Sequence, residues 1–226
     1  MTAKRFDAVL FDAGGVLVMP DPTVLAPLLS PLGGSVDPAV HHRAHYAAMR
    51  AVDRAEEEDW TLYHRAYVSS VGVPADELDE ALVLFSSTFN LHLWRYPNEG
   101  SDAVLHSLVA RKVPIGVVSN AGGQIEGVLA RDGVCQGGEG QGAGVLCVID
   151  SHIVGVSKPD PGIFVSAVDA LGIERDRIAY VGDSIRYDVR GATAAGLTPL
   201  LLDPYGDAGD DGHERILALT DLLDLV

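Results

Sequence analysis

The run Phe6-Asp7-Ala8-Val9-Leu10-Phe11-Asp12-Ala13-Gly14-Gly15-Val16-Leu17 sets the architecture. Ala8 to Phe11 is a short, wholly apolar stretch of the kind that forms a strand buried on both faces. It empties into a glycine turn, so Asp12 falls at the strand's C-terminal edge, where α/β proteins bind ligands. Three later segments are built the same way. They are Ile115-Gly116-Val117-Val118-Ser119-Asn120, then Ser157-Lys158-Pro159-Asp160-Pro161, then Tyr180-Val181-Gly182-Asp183-Ser184-Ile185-Arg186-Tyr187-Asp188.

Working outward, strands are expected at Ala8 to Phe11, Ile115 to Val118, Ile178 to Val181 and Pro199 to Leu202, with Val145 to Ile149 as a fifth. Helical patterns lie between them at Asp102 to Arg111, Gln124 to Asp132, Pro161 to Leu171 and Ile185 to Ala195. Asp160 and Pro161 supply an N-cap and a first helical residue for the third of these. Strands alternating with helices predict an α/β fold, a Rossmann-like parallel sheet with helices on both faces. From about Pro20 to Pro97 there is no strand signal, only helical periodicity at His41 to Asp53, Asp59 to Val71 and Asp76 to Leu93. That is too long for an ordinary crossover. The expected division is therefore a core of residues 1–19 and 97–226 with a helical cap subdomain, 20–96, inserted over the ligand edge.

Bulk properties narrow the function classes. Hydrophobic residues make up 47% of the 226 residues, enough for one domain with a real core and a sizeable insertion. With 16 basic against 32 acidic residues the net charge is −16. No basic surface can then neutralise nucleic-acid phosphates or sit on an anionic membrane. Phosphate esters can still bind where a few cations and a metal are focused in one cleft. The apolar run after Met1-Thr2-Ala3-Lys4-Arg5 contains Asp7 and is too short for a signal-peptide core or a bilayer span, so a cytoplasmic location is expected. Cys135 and Cys147 lack metal-ligand spacing and read as free thiols. Gln136 to Gly144 is so rich in glycine that a flexible surface insertion is expected. Asp207 to Gly212 has the oxygen content of a calcium loop without its spacing or closing Glu, and reads as a solvated turn.

Each strand-end segment carries one chemical group. Asp12 offers a carboxylate that can attack phosphorus and form an aspartyl-phosphate. The hydroxyl of Ser119 and the amide of Asn120 can bind phosphate oxygens. Prolines stiffen the chain around Lys158, presenting its ammonium as a fixed cation beside the nucleophile. Asp183 ends a buried strand and Asp188 lies one helical turn on, so both acids can converge on one cleft. Magnesium wants such hard oxygen ligands and keeps several waters. Asp12, Asp183, the backbone carbonyl of Gly14 and waters would suffice, with Asp188 binding through water or holding Lys158. Taken singly these residues have plainer readings, as helix caps, turns or a solvated lysine. Together and in this order they favour a site.

The order and composition of the four segments resemble the haloacid-dehalogenase-like (HAD) superfamily, most of whose members are magnesium-dependent phosphatases. The resemblance covers nearly the whole chain. It implies that Asp12 is nucleophile and Mg²⁺ ligand, that Ser119, Asn120 and Lys158 bind the phosphate of a small phosphorylated metabolite, and that Asp183 and Asp188 complete the metal site. It also implies a helical cap that closes over substrate. Dehalogenases of this fold work without metal, and the paired acids favour phosphoryl transfer. The oligomeric state is open.

One position departs from that pattern. Most such phosphatases carry a second aspartate two residues after the nucleophile, acting as general acid and base, and here that residue is Gly14. A positioned acid contributes about 10²–10⁴-fold in rate. Its loss should slow simple alkyl esters more than acyl, anomeric or aryl phosphates. A cap imidazole from His41, His42, His45 or His64 could take its place. A non-catalytic binding protein is the competing reading. Specificity should come from cap residues, with Arg43, Arg50, Arg54, Trp60 and Tyr63 as candidates.

Overall fold

Residues 4–138, 140–209 and 212–226 are described by a computed structural model. Ala8–Phe11 forms strand β1, buried at every position. Val18–Pro20 follows as β2. Four helices come next: Pro22–Leu29 (α1), Pro38–Arg54 (α2), Trp60–Ser70 (α3) and Leu78–Thr88 (α4). Trp94–Pro97 (β3) returns to pair antiparallel with β2. Ser101–Ala110 (α5), Ile115–Ser119 (β4) and Ile125–Arg131 (α6) lead to three short strands, Cys135–Gly137 (β5), Ala143–Val145 (β6) and Cys147–Asp150 (β7). Ser151–Val154 (α7), Val165–Leu171 (α8), Ile178–Gly182 (β8), Arg190–Ala194 (α9), Thr198–Leu202 (β9) and Arg215–Ile216 (β10) complete the fold.

The main sheet runs β10-β9-β8-β1-β4-β7, all parallel. Side chains alternate across it. Val9, Phe11, Val117 and Val181 pack with Leu105, Leu108 and Leu129 on one face. Ala8, Leu10, Val118 and Tyr180 pack with Phe164, Ala167 and Ala192 on the other. Apolar residues at successive positions are required because both faces are covered. β1 lies between β4 and β8, so the segments after these three strands open onto one edge.

Helices α1 to α4 have a core of their own, built on Leu25, Leu29, Met49, Tyr63, Tyr67 and Phe85. Asp37 caps α2 through the Ala39 amide at 2.9 Å, with Pro38 at its first position. Helix α1 was not expected, although Asp21 caps it through Thr23 and Pro22 starts it. Nor was β3, which lies within the stretch expected to hold no strand.

The glycine-rich stretch also differs from expectation. Cys135, Ala143 and Val145 are buried in the core and pin both arms, so β5 and β6 form a short parallel ladder. Glu139 within that stretch lies outside the described residues, as do Asp210 and Asp211 of the Asp207 to Gly212 turn. The fifth strand runs from Cys147 rather than Val145. No helix among the described residues is long and apolar enough to cross a membrane.

Candidate active site

The four segments meet at the C-terminal edge of β1, β4 and β8. Lys158 is 3% exposed, and its Nζ sits 2.9 Å from Asp12 Oδ1 and 2.7 Å from Asp188 Oδ1. Tyr180, on β8, brings its hydroxyl within 2.9 Å of both Lys158 Nζ and Asp188 Oδ1. A lysine can be buried here because two carboxylates and a phenol surround it; an unpaired buried charge would be costly. The Asn120 side chain clamps the backbone at Lys158 by accepting from its amide at 2.7 Å and donating to its carbonyl at 3.0 Å. The Asn120 side chain thus positions the lysine, a role beyond the phosphate-binding amide expected of this residue. Ser119 is buried and lines the cleft, and among the described residues nothing bonds its hydroxyl.

Residues Ile185–Val189 form a widened turn in place of the ordinary helical turn expected there. Val189 donates to the Ser184 carbonyl at 3.1 Å, five residues back. The extra residue in the turn swings Asp188 back toward its own start, where Oδ2 accepts from the amides of Asp183 (3.1 Å) and Ser184 (3.0 Å). Such turns recur at functional sites. Both Asp188 oxygens are thus held by protein donors.

Asp12, Asp183 and Asp188 are all buried, with one oxygen of each within 4.8 Å of the others. Asp12 Oδ1 accepts from the Ala13 amide and Lys158. Asp183 Oδ2 accepts from His45 Nε2 at 2.9 Å. Among the described residues, Asp12 Oδ2 and Asp183 Oδ1 accept no hydrogen bond. Unbonded hard oxygens on clustered acids fit a divalent cation. Burial pushes the Asp12 carboxyl up to about 7; Lys158 opposes the rise, and the Asp188 and Asp183 carboxylates add to it. Burial also raises Asp188, against the pull of Lys158. Burial alone would lower Lys158, but Asp12 and Asp188 hold it above its ordinary value.

Gly14 lies on the cleft wall under the Trp94 ring, and a Cβ there would sit 3.0 Å from Trp94 Cε3. Gly15 takes φ +77°, and a Cβ on it would collide with Asp183 and His45. Only glycine lets the chain turn there with those two side chains in contact.

Three residues of α2 touch this edge: His45 and Arg50, named as a substitute acid and a specificity candidate, and Asp53, which was not singled out. His45 bonds Asp183 and, through Nδ1, the Tyr63 hydroxyl at 2.9 Å. Arg50 donates to the Asp183 carbonyl and pairs with Asp53 at 3.0 Å. Asp53 accepts from Ser184 Oγ (2.7 Å), the Ile185 amide (3.0 Å) and the Arg186 amide (2.9 Å). Of the four imidazoles considered as substitutes for the missing acid, His45 alone lines the cleft. His41 bonds Tyr67 and the Ser35 carbonyl, His42 bonds Tyr205 and Asn98, and His64 bonds Ser86.

Comparison with known proteins agrees with this arrangement. The model of the haloacid dehalogenase-like hydrolase family matches residues 6–196. The chain is 44% identical over 50 residues to the glyceraldehyde 3-phosphate phosphatase of Methanopyrus kandleri, covering 22% of each. It is 33% identical over 128 residues to the haloacid dehalogenase-like hydrolase domain-containing protein 3 of Mus musculus, covering 57% of this chain and 45% of that one. It spans less than half the length of these relatives. A HAD phosphatase from Thermococcus onnurineus shares the fold, with a TM-score of 0.59, 24% identity and 96% of each chain covered. Since the family match takes in every segment of the cleft from Asp12 to Asp188, the chain belongs to the haloacid dehalogenase-like hydrolases.

Proposed function

We propose that the protein is a magnesium-dependent phosphatase acting on a small phosphorylated metabolite, with Asp12 carrying the phosphoryl group between two half-reactions. The observation that carries this reading is Lys158, buried between Asp12 and Asp188 and pointed into the same cleft as Ser119. The phosphatase named among the relatives supports it.

In this account Lys158 and the Ser119 hydroxyl hold the phosphoryl oxygens while an Asp12 oxygen attacks phosphorus in line. The P–O bond to the leaving group breaks, and water then attacks the aspartyl-phosphate, restoring the carboxylate and releasing phosphate. Mg²⁺, held by Asp12, Asp183 and the Gly14 carbonyl, would neutralise the phosphoryl charge when bound. Asp188 orients Lys158 and would support the metal site when Mg²⁺ is bound. Residues 20–96 act as a lid whose helix α2 reaches the metal-site loop. The pair Asp183 and Asp188 speaks against a metal-free dehalogenase.

The test is phosphate release from a panel of esters and anhydrides, with and without Mg²⁺, by the native protein and Asp12→Asn. Metal-dependent release by the native protein alone is expected. Phosphate binding without turnover would favour a non-catalytic binder, the reading to which Gly14 points. Halide release from 2-haloacids without metal would instead make it a dehalogenase.

A further inference from the structure

We infer that the cleft takes phosphate monoesters of uncharged aromatic alcohols, an inference that rests on the phosphatase reading above. The cleft has a volume of about 410 Å³. Beyond the phosphate-binding end its wall is made by Trp60, Phe89, Leu91, Trp94 and Tyr187. Trp60 stacks on Tyr187 with ring planes 11° apart and centroids 6.3 Å apart. Phe89 meets Trp94 edge-on at 5.9 Å. Trp60 remains 37% exposed and Leu91 47% exposed, so these side chains offer apolar surface to an incoming ligand. Flat rings recognise flat rings through area and quadrupole together.

Charge points the same way. Among the described residues lining the cleft, Lys158 is the one Lys or Arg, and it is bonded at the phosphate end. The arginines of the helical unit that could have met a substrate carboxylate are engaged elsewhere. Arg43 pairs with Asp207 and lies over Tyr205, Arg54 donates to the Asp207 carbonyl, and Arg50 is buried against Asp183 and Asp53. Glu58 at the rim adds a negative charge. A leaving group bearing a carboxylate would lose its hydration there without gaining a partner.

Gly14 supplies an independent reason. Gly14 has no side chain to donate a proton and lies against the Trp94 ring, 3.0 Å from where a Cβ would sit, and both nitrogens of His45 are bonded to protein. Neither position 14 nor His45 can then hand the leaving oxygen a proton, which favours groups that depart without one. A phenolate does so readily and an alkoxide does not, since the cost tracks the basicity of the departing oxygen. In balance, an Asp12 oxygen bonds phosphorus and the aryl P–O bond breaks with its electron pair on the aryloxide. Water then adds to phosphorus, the phosphorus–Asp12 bond breaks, and the water's protons are shared between aryloxide and phosphate. The net reaction is aryl phosphate and water to phenol and phosphate.

The test compares kcat/KM with Mg²⁺ for phenyl phosphate, 2-naphthyl phosphate, 4-carboxyphenyl phosphate, acetyl phosphate and phosphoglycolate, using the native protein and Trp60→Ala. Native protein should prefer phenyl over 4-carboxyphenyl phosphate by about tenfold, and both naphthyl and phenyl over phosphoglycolate by more. Trp60→Ala should lower kcat/KM for 2-naphthyl phosphate by about tenfold, the scale of one lost aromatic contact. Acetyl phosphate, a good leaving group without a ring, should lose clearly less than 2-naphthyl phosphate, and circular dichroism shows that the variant folds. Equal or better turnover of phosphoglycolate or the carboxylated ester would overturn the inference while leaving the phosphatase reading intact. So would equal loss on naphthyl and acetyl phosphate in Trp60→Ala. No turnover of any ester or of acetyl phosphate would remove both.

Discussion

His45 Nε2 lies 2.9 Å from Asp183 Oδ2, so a helix of the inserted unit sets the orientation of a carboxylate in the candidate metal site. The imidazole is in turn fixed by Tyr63. Partners behind a ligand commonly control metal affinity by 10–100-fold. His45→Ala should therefore weaken Mg²⁺ binding by about tenfold or more, read by calorimetric titration, with the fold retained by circular dichroism. Unchanged affinity would mean that Asp183 is oriented by its own strand alone.

Asp53 joins the same two units differently. It gathers three donors from residues 184–186 and pairs with Arg50, all within a buried contact. Asp53→Ala leaves those amides without their acceptor. Losing hydrogen bonds to a charged group costs about 1.5–3 kcal/mol. Denaturant unfolding should register that loss, and amide exchange should accelerate at residues 184–186 ahead of β8. Uniform exchange across both would show that this contact does not hold the turn.

Much of this site was legible in the sequence. Strands β1, β4 and β8 are apolar along their buried length because both faces are covered, and the Asp12, Ser119, Asp183 and Asp188 segments converge because parallel strands end together. Lys158, expected to be built the same way, comes instead from the loop after α7 and is fixed by Asn120. The residues that join the units were not. Asp53 and Ser184 are separated by 131 positions, and nothing local marks an acid that caps a distant turn. His45 did leave a trace. His41 and His45 on α2 are spaced as Tyr67 and Tyr63 are on α3, and each pair is bonded at 2.9 Å. A matched spacing of four on adjacent helices signals facing rows. Helix α1 carries Pro27 inside it, where a proline usually breaks a helix, although Pro22 suits a helix start.

Lys158 is held by two buried carboxylates, and its removal leaves both without a counter-charge. Breaking such an arrangement costs about 3–5 kcal/mol. Lys158→Met should lower the unfolding free energy by that amount in a urea titration and reduce turnover by about 10²–10³-fold. Full stability in this variant would mean that Asp12 and Asp188 are neutral in the native fold.

Asp12 gives the pH dependence. Burial pushes its carboxyl up to about 7 without metal, whereas an unfolded aspartate titrates near about 3.9. Between these values the folded state keeps a proton that the unfolded state has lost. The metal-free protein should therefore lose stability as pH rises through that window and level off above it. Metal binding needs the carboxylate, so Mg²⁺ affinity should climb by up to about tenfold per pH unit below 7 and flatten above. Thermal-shift titrations with Mg²⁺ from pH 5.5 to 8.5 measure both; a flat affinity profile would contradict the raised carboxyl.

The most direct test of phosphoryl transfer through Asp12 is to quench the turning-over enzyme in acid and locate phosphate by peptide mass spectrometry. The account predicts one phosphoryl group on the peptide containing Asp12, formed only with Mg²⁺ and absent in Asp12→Asn. Turnover that survives Asp12→Asn, or a phosphoryl group trapped on any other residue, would contradict it.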